Sequence, residues 1–427
     1  MTIKKLKFQT PTGMHDILPE DQKYYRRIFE VSQEVADFYG FSRIDTPIAE
    51  DTELFSKGIG LSTDIVQKQM FSFTTKGKDA ITLRPEVTAP IARAYIQNGM
   101  VSQPQPVKLF FFGPVFRYEN PQAGRYRQFW QLDLEVLGEQ GPVMDVQVIQ
   151  ITTNILREIG LKNVIVEVNS IGDNQCRPYY KKILTSYLRS KESALCPDCR
   201  RRIKENPLRV LDCKEEKCQA VKSQAPQTVD HLCEDCHKHF KGVLEFLEET
   251  EIPYRLNPRL VRGLDYYTKT VFEIFEEGES QIAIAGGGRY DNLVKIIGGN
   301  DAPAVGVAVG IERVVQLMKD REVKLPKSQE PKIYLAQLGD LAKRKTLKLF
   351  EDFRRARIPV HESLGRDSLK AQMGRANRTG VEFTLILGQK EALEGTIIIR
   401  DMATGRQDTV KLEDVIEEMK ERLKKNH

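Results

Sequence analysis

Two strand-like runs around an arginine-bearing loop constrain this chain more than any other feature. Lys108–Phe112 is almost wholly apolar and aromatic, Phe129–Val136 has strand composition, and Tyr118–Gln128 between them is polar. Apolar runs joined in this way predict an antiparallel hairpin with a long tip. The hairpin falls inside a first α/β block spanning roughly residues 8 to 170.

Other runs fill out that block. Asp21 can cap a helix that ends at Gly40, with Ile28, Val35 and Phe38 on one face. Asp145–Ile159 has a helical pattern, and Val164–Val168 reads as a strand. From Asn174 to about Glu249 the sequence becomes charged and helix-rich, and the cysteines gather there, which reads as an insertion. Strand-like runs resume at Tyr266–Phe275, Ile282–Ala285 and Ala304–Val309, the last leading into a helix over Gly310–Met318. Lys319–Pro331 holds Pro326, Pro331 and mixed charge, as a linker does. A small α/β unit follows, with strands Ile333–Ala336, Phe383–Leu387 and Ile397–Ile399, helices Leu341–Arg357 and Ser368–Thr379, and a final helix. The expected division is 1–173, an insertion over 174–250, 251–325 and 331–427.

A chain of 427 residues has room for two to four domains, and 40% hydrophobic with 29% charged residues is ordinary for a soluble globular protein. No apolar run follows the N-terminal lysines, and no stretch approaches the roughly 18 apolar residues of a membrane span. Neither a signal peptide nor a membrane segment is expected, and a cytoplasmic location is. The net charge of +5 is unevenly spread: residues 331–427 carry 20 Lys and Arg against 15 Asp and Glu, which is the whole excess. A basic face of this kind suits nucleic acid and equally suits a solvated helix surface.

Three motifs carry chemistry. Arg117, at the end of the aromatic strand, can hold a phosphate in bidentate fashion. Arg125 and Arg127 follow in the loop, and Phe129 offers a flat face for a base; an ordinary charged hairpin tip would also look like this. Leu83–Thr88 places the Glu86 carboxylate beside the Thr88 hydroxyl directly after a strand, where it could hold an amine or an imidazolium. Pro-Glu also commonly just starts a helix. In Val305–Arg313, Gly306 and Gly310 let strand and helix approach closely, and Arg313 falls in the first helical turn. A cation there opposes the helix macrodipole, which a local anion would relieve.

In order and context these blocks resemble motifs 1, 2 and 3 of class II aminoacyl-tRNA synthetases, carried by the first helix with Phe41–Pro47, by Phe116–Gln131 and by Gly306–Arg313. No P-loop and no HIGH or KMSKS pair is present. Leu260–Thr268 (LVRGLDYYT) and Ala285–Leu293 (AGGGRYDNL) resemble the two signature peptides of the histidyl-tRNA synthetase family. The resemblance extends from about Thr10 to the C-terminus. It implies an α/β (α+β) fold: a class II catalytic domain on an antiparallel sheet, a helical insertion and a C-terminal α/β anticodon-binding domain. It implies ATP as substrate with Mg²⁺, L-histidine, tRNA(His) and a homodimer, motif 1 forming the interface. Arg117 and Arg262 would be catalytic, facing the α-phosphate from two sides. Glu86, Val87, Thr88, Gln131, Glu135, Arg262, Tyr266, Tyr267 and Tyr290 would bind histidine. Arg117, Glu119, Arg125, Phe129 and Arg313 would bind ATP. Val87 stands where the family usually has glycine, Trp130 fills a position often smaller or polar, and Asn120 replaces a common basic residue. Beside Asn120 itself, Gln122 and Arg125 are then the remaining candidates for the tRNA acceptor end.

The cysteines stand apart from this resemblance. Cys196-x-x-Cys199 and Cys233-x-x-Cys236 have the spacing of paired knuckles for a structural Zn²⁺, and reduced thiols fit equally. Two other functional classes remain: a non-catalytic regulatory paralogue of ATP phosphoribosyltransferase, and a plain RNA-binding protein. The intact LVRGLDYYT and the C-terminal segment weigh against the first, and the full set of ATP-site residues against the second.

Overall fold

The computed structural model describes residues 8–61, 63–121, 124–278, 283–326, 330–365 and 368–425. It divides into two units, Met1–Leu325 and Pro326–His427.

The first unit is built on an eight-stranded sheet in the order Ser42–Arg43, Val107–Phe116, Gln128–Leu137, Ala304–Gly310, Ala285–Arg289, Thr268–Glu276, Val164–Ser170, Tyr254–Leu256. The six central strands pair antiparallel, and the two short edge strands pair parallel. The expected hairpin is present, in register from Val107 opposite Leu137 to Phe116 opposite Gln128. Its second strand alternates cleanly. Leu132, Leu134 and Val136 enter the main core, under helices Pro19–Phe38, Pro142–Glu158, Glu234–Glu249 and Ile311–Asp320. The odd-numbered residues face the other side, as a pleated strand requires.

Several expectations need correcting. The first helix begins at Pro19 with Leu18 before it and no side-chain cap; Asp21 lies in its first turn, where a carboxylate favours the helix dipole, and pairs with Lys319 at 2.6 Å. The strand expected at Ile282–Ala285 is instead Ala285–Arg289; residue 282 lies outside the described residues. Glycines carry no strand propensity, so pairing with both neighbours sets this strand. Helix Glu234–Glu249, expected within the insertion, sends Phe240, Val243 and Leu247 into the main core.

The second unit is a five-stranded sheet in the order Val360–Glu362, Ile333–Gln337, Phe383–Leu387, Thr396–Asp401, Gln407–Lys411. The first three strands are parallel and the last two add antiparallel. Helices Asp340–Arg355, Leu369–Thr379, Gln389–Glu394 and Val415–Lys425 accompany it. Its core gathers Leu335, Phe353, Leu385, Ile399 and Met419.

Candidate active site

A cleft opens on the face of the large sheet opposite the main core. The hairpin strand lines it with Phe129, Gln131 and Asp133, and the turn before helix Thr88–Gln97 adds Glu86 and Thr88. The LVRGLDYYT segment contributes Arg262, Tyr266 and Tyr267, the glycine strand contributes Gly286, and Arg313 closes the rim.

The deep end is acidic and buried. Glu86 accepts from the backbone N–H of Thr88 (2.9 Å) and Ala89 (3.0 Å), so it caps the following helix while its carboxylate faces the cleft. Glu135 lies beneath. It accepts from the Thr88 hydroxyl at 2.6 Å and from the Tyr290 hydroxyl. Burial pushes Glu135 up to about 8 and raises Glu86. Burial also raises Asp133 well above the carboxylate range, and Glu135 and Glu86 add to it. The Asp133 Oδ2 and Gln131 Oε1 atoms are buried without a hydrogen-bond partner. Unpartnered buried acceptors cost free energy, which a cationic or donor ligand would recover. Tyr266 and Tyr290 are held protonated by burial, so both remain donors.

The outer end is cationic. The Arg117 Nε donates to the Pro85 carbonyl at 2.7 Å, and its guanidinium lies 5.3 Å from the Phe129 ring centre. Arg313 donates to the Ala283 carbonyl at 2.6 Å; burial, then Arg125 and Arg117, lower its proton affinity. Arg125 pairs with Glu119 at 3.6 Å. Like charges gathered in one cleft favour an anion. Arg262 is ion-paired with Glu273 and packs on Tyr267. Gly286 makes room for it, since a Cβ there would lie 2.4 Å from the Arg262 guanidinium.

Glu86, Thr88, Arg117, Glu119, Arg125, Phe129, Gln131, Arg262, Tyr266, Tyr267, Tyr290 and Arg313 therefore meet in one cleft. Val87 does not: it is fully buried in the core beneath, because neighbours at a strand–helix turn cannot all face one side. Asn120 is exposed outside the cleft lining, and Gln122 lies outside the described residues. Trp130 points to the core side, against Tyr25 and Phe112. Sequence reasoning missed Asp133, Glu273 and Glu312. Asp133 was findable from strict alternation with Gln131 and Glu135. Glu312, pushed up to about 7 by burial, accepts from the Trp130 N–H at 2.9 Å and from the Tyr25 hydroxyl at 3.2 Å. Arg289 of the second signature is structural. Fully buried, it donates to Asp145 (Nε, 2.9 Å) and to the Glu139 and Gly141 carbonyls, and Asp145 also meets His239 at 2.7 Å.

The cysteine pairing also needs correction. Cys196 and Cys199 do not join Cys233 and Cys236. The chain brings Cys196 and Cys199 to Cys213 and Cys218, and brings Cys233 and Cys236 to Asp173 and Cys176.

An antiparallel sheet carrying a hairpin arginine with its aromatic neighbour, a helix-borne arginine after the last strand, and an acidic pocket between them defines the class II aminoacyl-tRNA synthetases. Residues 13–314 match the family model for histidyl-tRNA synthetase, and residues 332–422 match that of an anticodon binding domain. A histidine–tRNA ligase of Dehalococcoides mccartyi is 42% identical over 97% of this chain and 100% of its own length. One of Halothermothrix orenii is 45% identical, covering 96% and 98%. The crystal structure of apo S. aureus histidyl-tRNA synthetase superposes with a TM-score of 0.79 at 33% identity, covering 96% of this chain and 99% of that one. The chain belongs to the histidyl-tRNA synthetase family.

Proposed function

We propose that this chain is a histidine–tRNA ligase in which the acidic end of the cleft holds L-histidine and the arginine rim holds ATP. The enzyme joins the histidine carboxylate to the α-phosphorus of ATP, releasing pyrophosphate. It then passes the histidyl group to the 3′-terminal adenosine of tRNA(His), releasing AMP. The observation that carries this reading is the buried cluster of Glu86, Asp133 and Glu135 ringed by tyrosine hydroxyls. Such a pocket matches a ligand with an ammonium and an imidazole donor and acceptor, and it rejects apolar isosteres because its own polar groups would stay unpaired.

Arg117 and Arg262 stabilise the charge that builds on the α-phosphate oxygens, already oriented by the Pro85 carbonyl and by Glu273. Arg125, Arg313 and Glu119 bind the rest of ATP, with adenine on Phe129. Glu86, Thr88, Gln131, Glu135, Tyr266, Tyr267 and Tyr290 contact histidine, joined by Asp133. Mg²⁺ would neutralise triphosphate charge, and Glu119 offers it a hard oxygen ligand beside the arginine rim.

tRNA(His) is the macromolecular substrate. Its anticodon falls to the unit 326–427, and its acceptor end to the hairpin loop around Asn120 and Gln122. Among the described residues no helix is long and apolar enough to cross a membrane, which agrees with a cytoplasmic enzyme. A homodimer through the first helix and the segment after it is supported by the exposed apolar Phe38 and Ile48. The regulatory-paralogue reading is disfavoured because the named ligases align over both units. Charging of a tRNA(His) transcript with labelled histidine tests the proposal. Acid-precipitable, alkali-labile histidyl-tRNA formed only with ATP supports it; an enzyme inert toward that transcript with all substrates present refutes it.

A further inference from the structure

The protein has seven cysteines, all are unbridged, and they fall into two tight groups with none left over. In each group one ligand atom per residue lies within 4.8 Å of the others. We propose that the chain carries two structural Zn²⁺ sites: a four-thiolate site of Cys196, Cys199, Cys213 and Cys218, and a mixed site of Asp173, Cys176, Cys233 and Cys236.

The sulfur spacing fits a metal better than thiol packing or disulfides. A tetrahedral Zn²⁺ with Zn–S bonds of about 2.3 Å places its sulfurs about 3.8 Å apart. Cys196 and Cys213 are separated by 3.8 Å, and Cys199 and Cys218 by 3.9 Å. A disulfide would need about 2.05 Å. The backbone is arranged for thiolates as well: the Cys199 N–H points at the Cys196 sulfur (3.4 Å), and the Cys196 N–H at the Cys218 sulfur (3.3 Å). Four thiolates around Zn²⁺ leave a net charge of −2. Lys222, itself buried, sits beside this group and donates to the Cys213 carbonyl at 2.5 Å.

The mixed site follows the same geometry with one oxygen. A Zn–O bond of about 2.0 Å shortens the oxygen–sulfur edge to about 3.5 Å. Asp173 Oδ1 lies 3.5 Å from the Cys176 sulfur and 3.9 Å from that of Cys233. The N–H groups of Gln175 (2.9 Å) and Cys176 (3.3 Å) fix that carboxylate. Gly172 leaves space for the sulfur, since a Cβ there would stand 2.5 Å from it. Arg177 is the nearby cation, and it also donates to the Tyr267 carbonyl at 2.5 Å, within the histidine signature.

The two sites differ in what they tie together. The four-thiolate site ties helices Pro197–Glu205 and Glu216–Ser223 to each other, inside the apolar cluster that also holds Leu184, Leu188 and Leu211. The mixed site joins the end of catalytic strand Val164–Ser170 to the start of core helix Glu234–Glu249. It therefore staples the entry of the insertion to its exit.

Elemental analysis of the intact protein, purified without chelator, should find about two zinc per chain. Cys218→Ser and Cys236→Ser should each lower this to about one, from different sites. If either variant fails to fold, Co²⁺ replacement in the wild-type protein decides. It should give tetrahedral visible bands and thiolate charge-transfer absorption from two distinct sites filled at two equivalents. Folded protein with seven freely titrating thiols and no bound metal overturns the proposal. So does iron in place of zinc, or a single metal lost on substitution in only one group.

Discussion

Gly306 stands directly opposite Glu135 across the antiparallel strand pair, and a Cβ on Gly306 would come 1.6 Å from the Glu135 carboxylate oxygen. The floor of the proposed histidine pocket thus exists because its neighbour has no side chain. Gly306→Ala should displace Glu135 from Thr88 and Tyr290. A misplacement of about 1 Å commonly costs on the order of 10²-fold, so kcat/KM for histidine should fall about that far while the KM for ATP moves little. Steady-state exchange kinetics with each substrate varied separates the two; equal losses for both substrates would count against the pocket assignment.

Arg262 is partly buried against Glu273 and lines the cleft. Arg262→Ala should lower the rate of adenylate formation by about 10²–10³-fold, the usual effect of losing one preorganised group at a developing charge. Rapid-quench measurement of histidyl-adenylate reads that step alone. A near-normal rate would remove Arg262 from the chemistry.

Glu135 should make histidine binding proton-linked. With burial pushing its carboxyl up to about 8, the empty pocket should hold a proton at pH 7 that the ligand ammonium would displace. Calorimetry in buffers of different ionisation enthalpy should show proton release on binding, with affinity rising from pH 7 to 8.5; Glu135→Gln should abolish the release. The folding sign is opposite. The unfolded chain loses this proton near pH ~4.3 and the folded chain only near 8, so stability falls with pH between those values and then levels off. Denaturation of the ligand-free enzyme across that range should show the fall, shallower in the Gln variant.

Arg289 belongs to the same signature as Tyr290 but does different work. Its partner Asp145 is held below its ordinary value because the Arg289 charge and the His239 hydrogen bond outweigh burial. Removing one member of a buried charged pair typically costs about 3–5 kcal/mol. Arg289→Ala should therefore lose stability of that order in urea titration, while folded enzyme at low temperature keeps near-wild-type KM values. A stable variant with a large KM defect would place Arg289 in the pocket after all.

The sequence disclosed what is local and periodic. The hairpin, helix Pro142–Glu158 and strand Phe383–Leu387 follow from composition and period. Short elements escaped. The three-stranded sheet Ala49–Asp51, Ala80–Leu83, Phe71–Thr74 and the edge strands Val360–Glu362 and Gln407–Lys411 are too brief or too polar to show a period. Asp133 was legible in the alternation of its strand and was overlooked. The cysteine partners were not legible, since proximity in sequence pairs the CxxC segments with each other whereas the fold sends them to different sites.

The terminal unit tests the division of labour. Arg354 and Arg355 are both paired with Glu351, and Lys345 donates to the Ala392 carbonyl, so the basic helix Asp340–Arg355 is partly self-neutralised. Arg344 is exposed on it. A chain ending near Lys324 should retain histidine-dependent exchange but lose anticodon discrimination and the steep salt dependence of tRNA binding. Charging of tRNA with an altered anticodon, full-length against truncated, checks this. An undiminished penalty in the truncated enzyme would put anticodon reading elsewhere.

The central claim, that a buried carboxylate and tyrosine pocket beside an arginine rim activates histidine, is tested most directly by ATP–pyrophosphate exchange with each of the twenty amino acids. L-histidine alone should support exchange, and Glu135→Gln should depress it sharply while ATP binding persists. Exchange supported equally by another amino acid, or none with histidine in folded enzyme, would contradict the account.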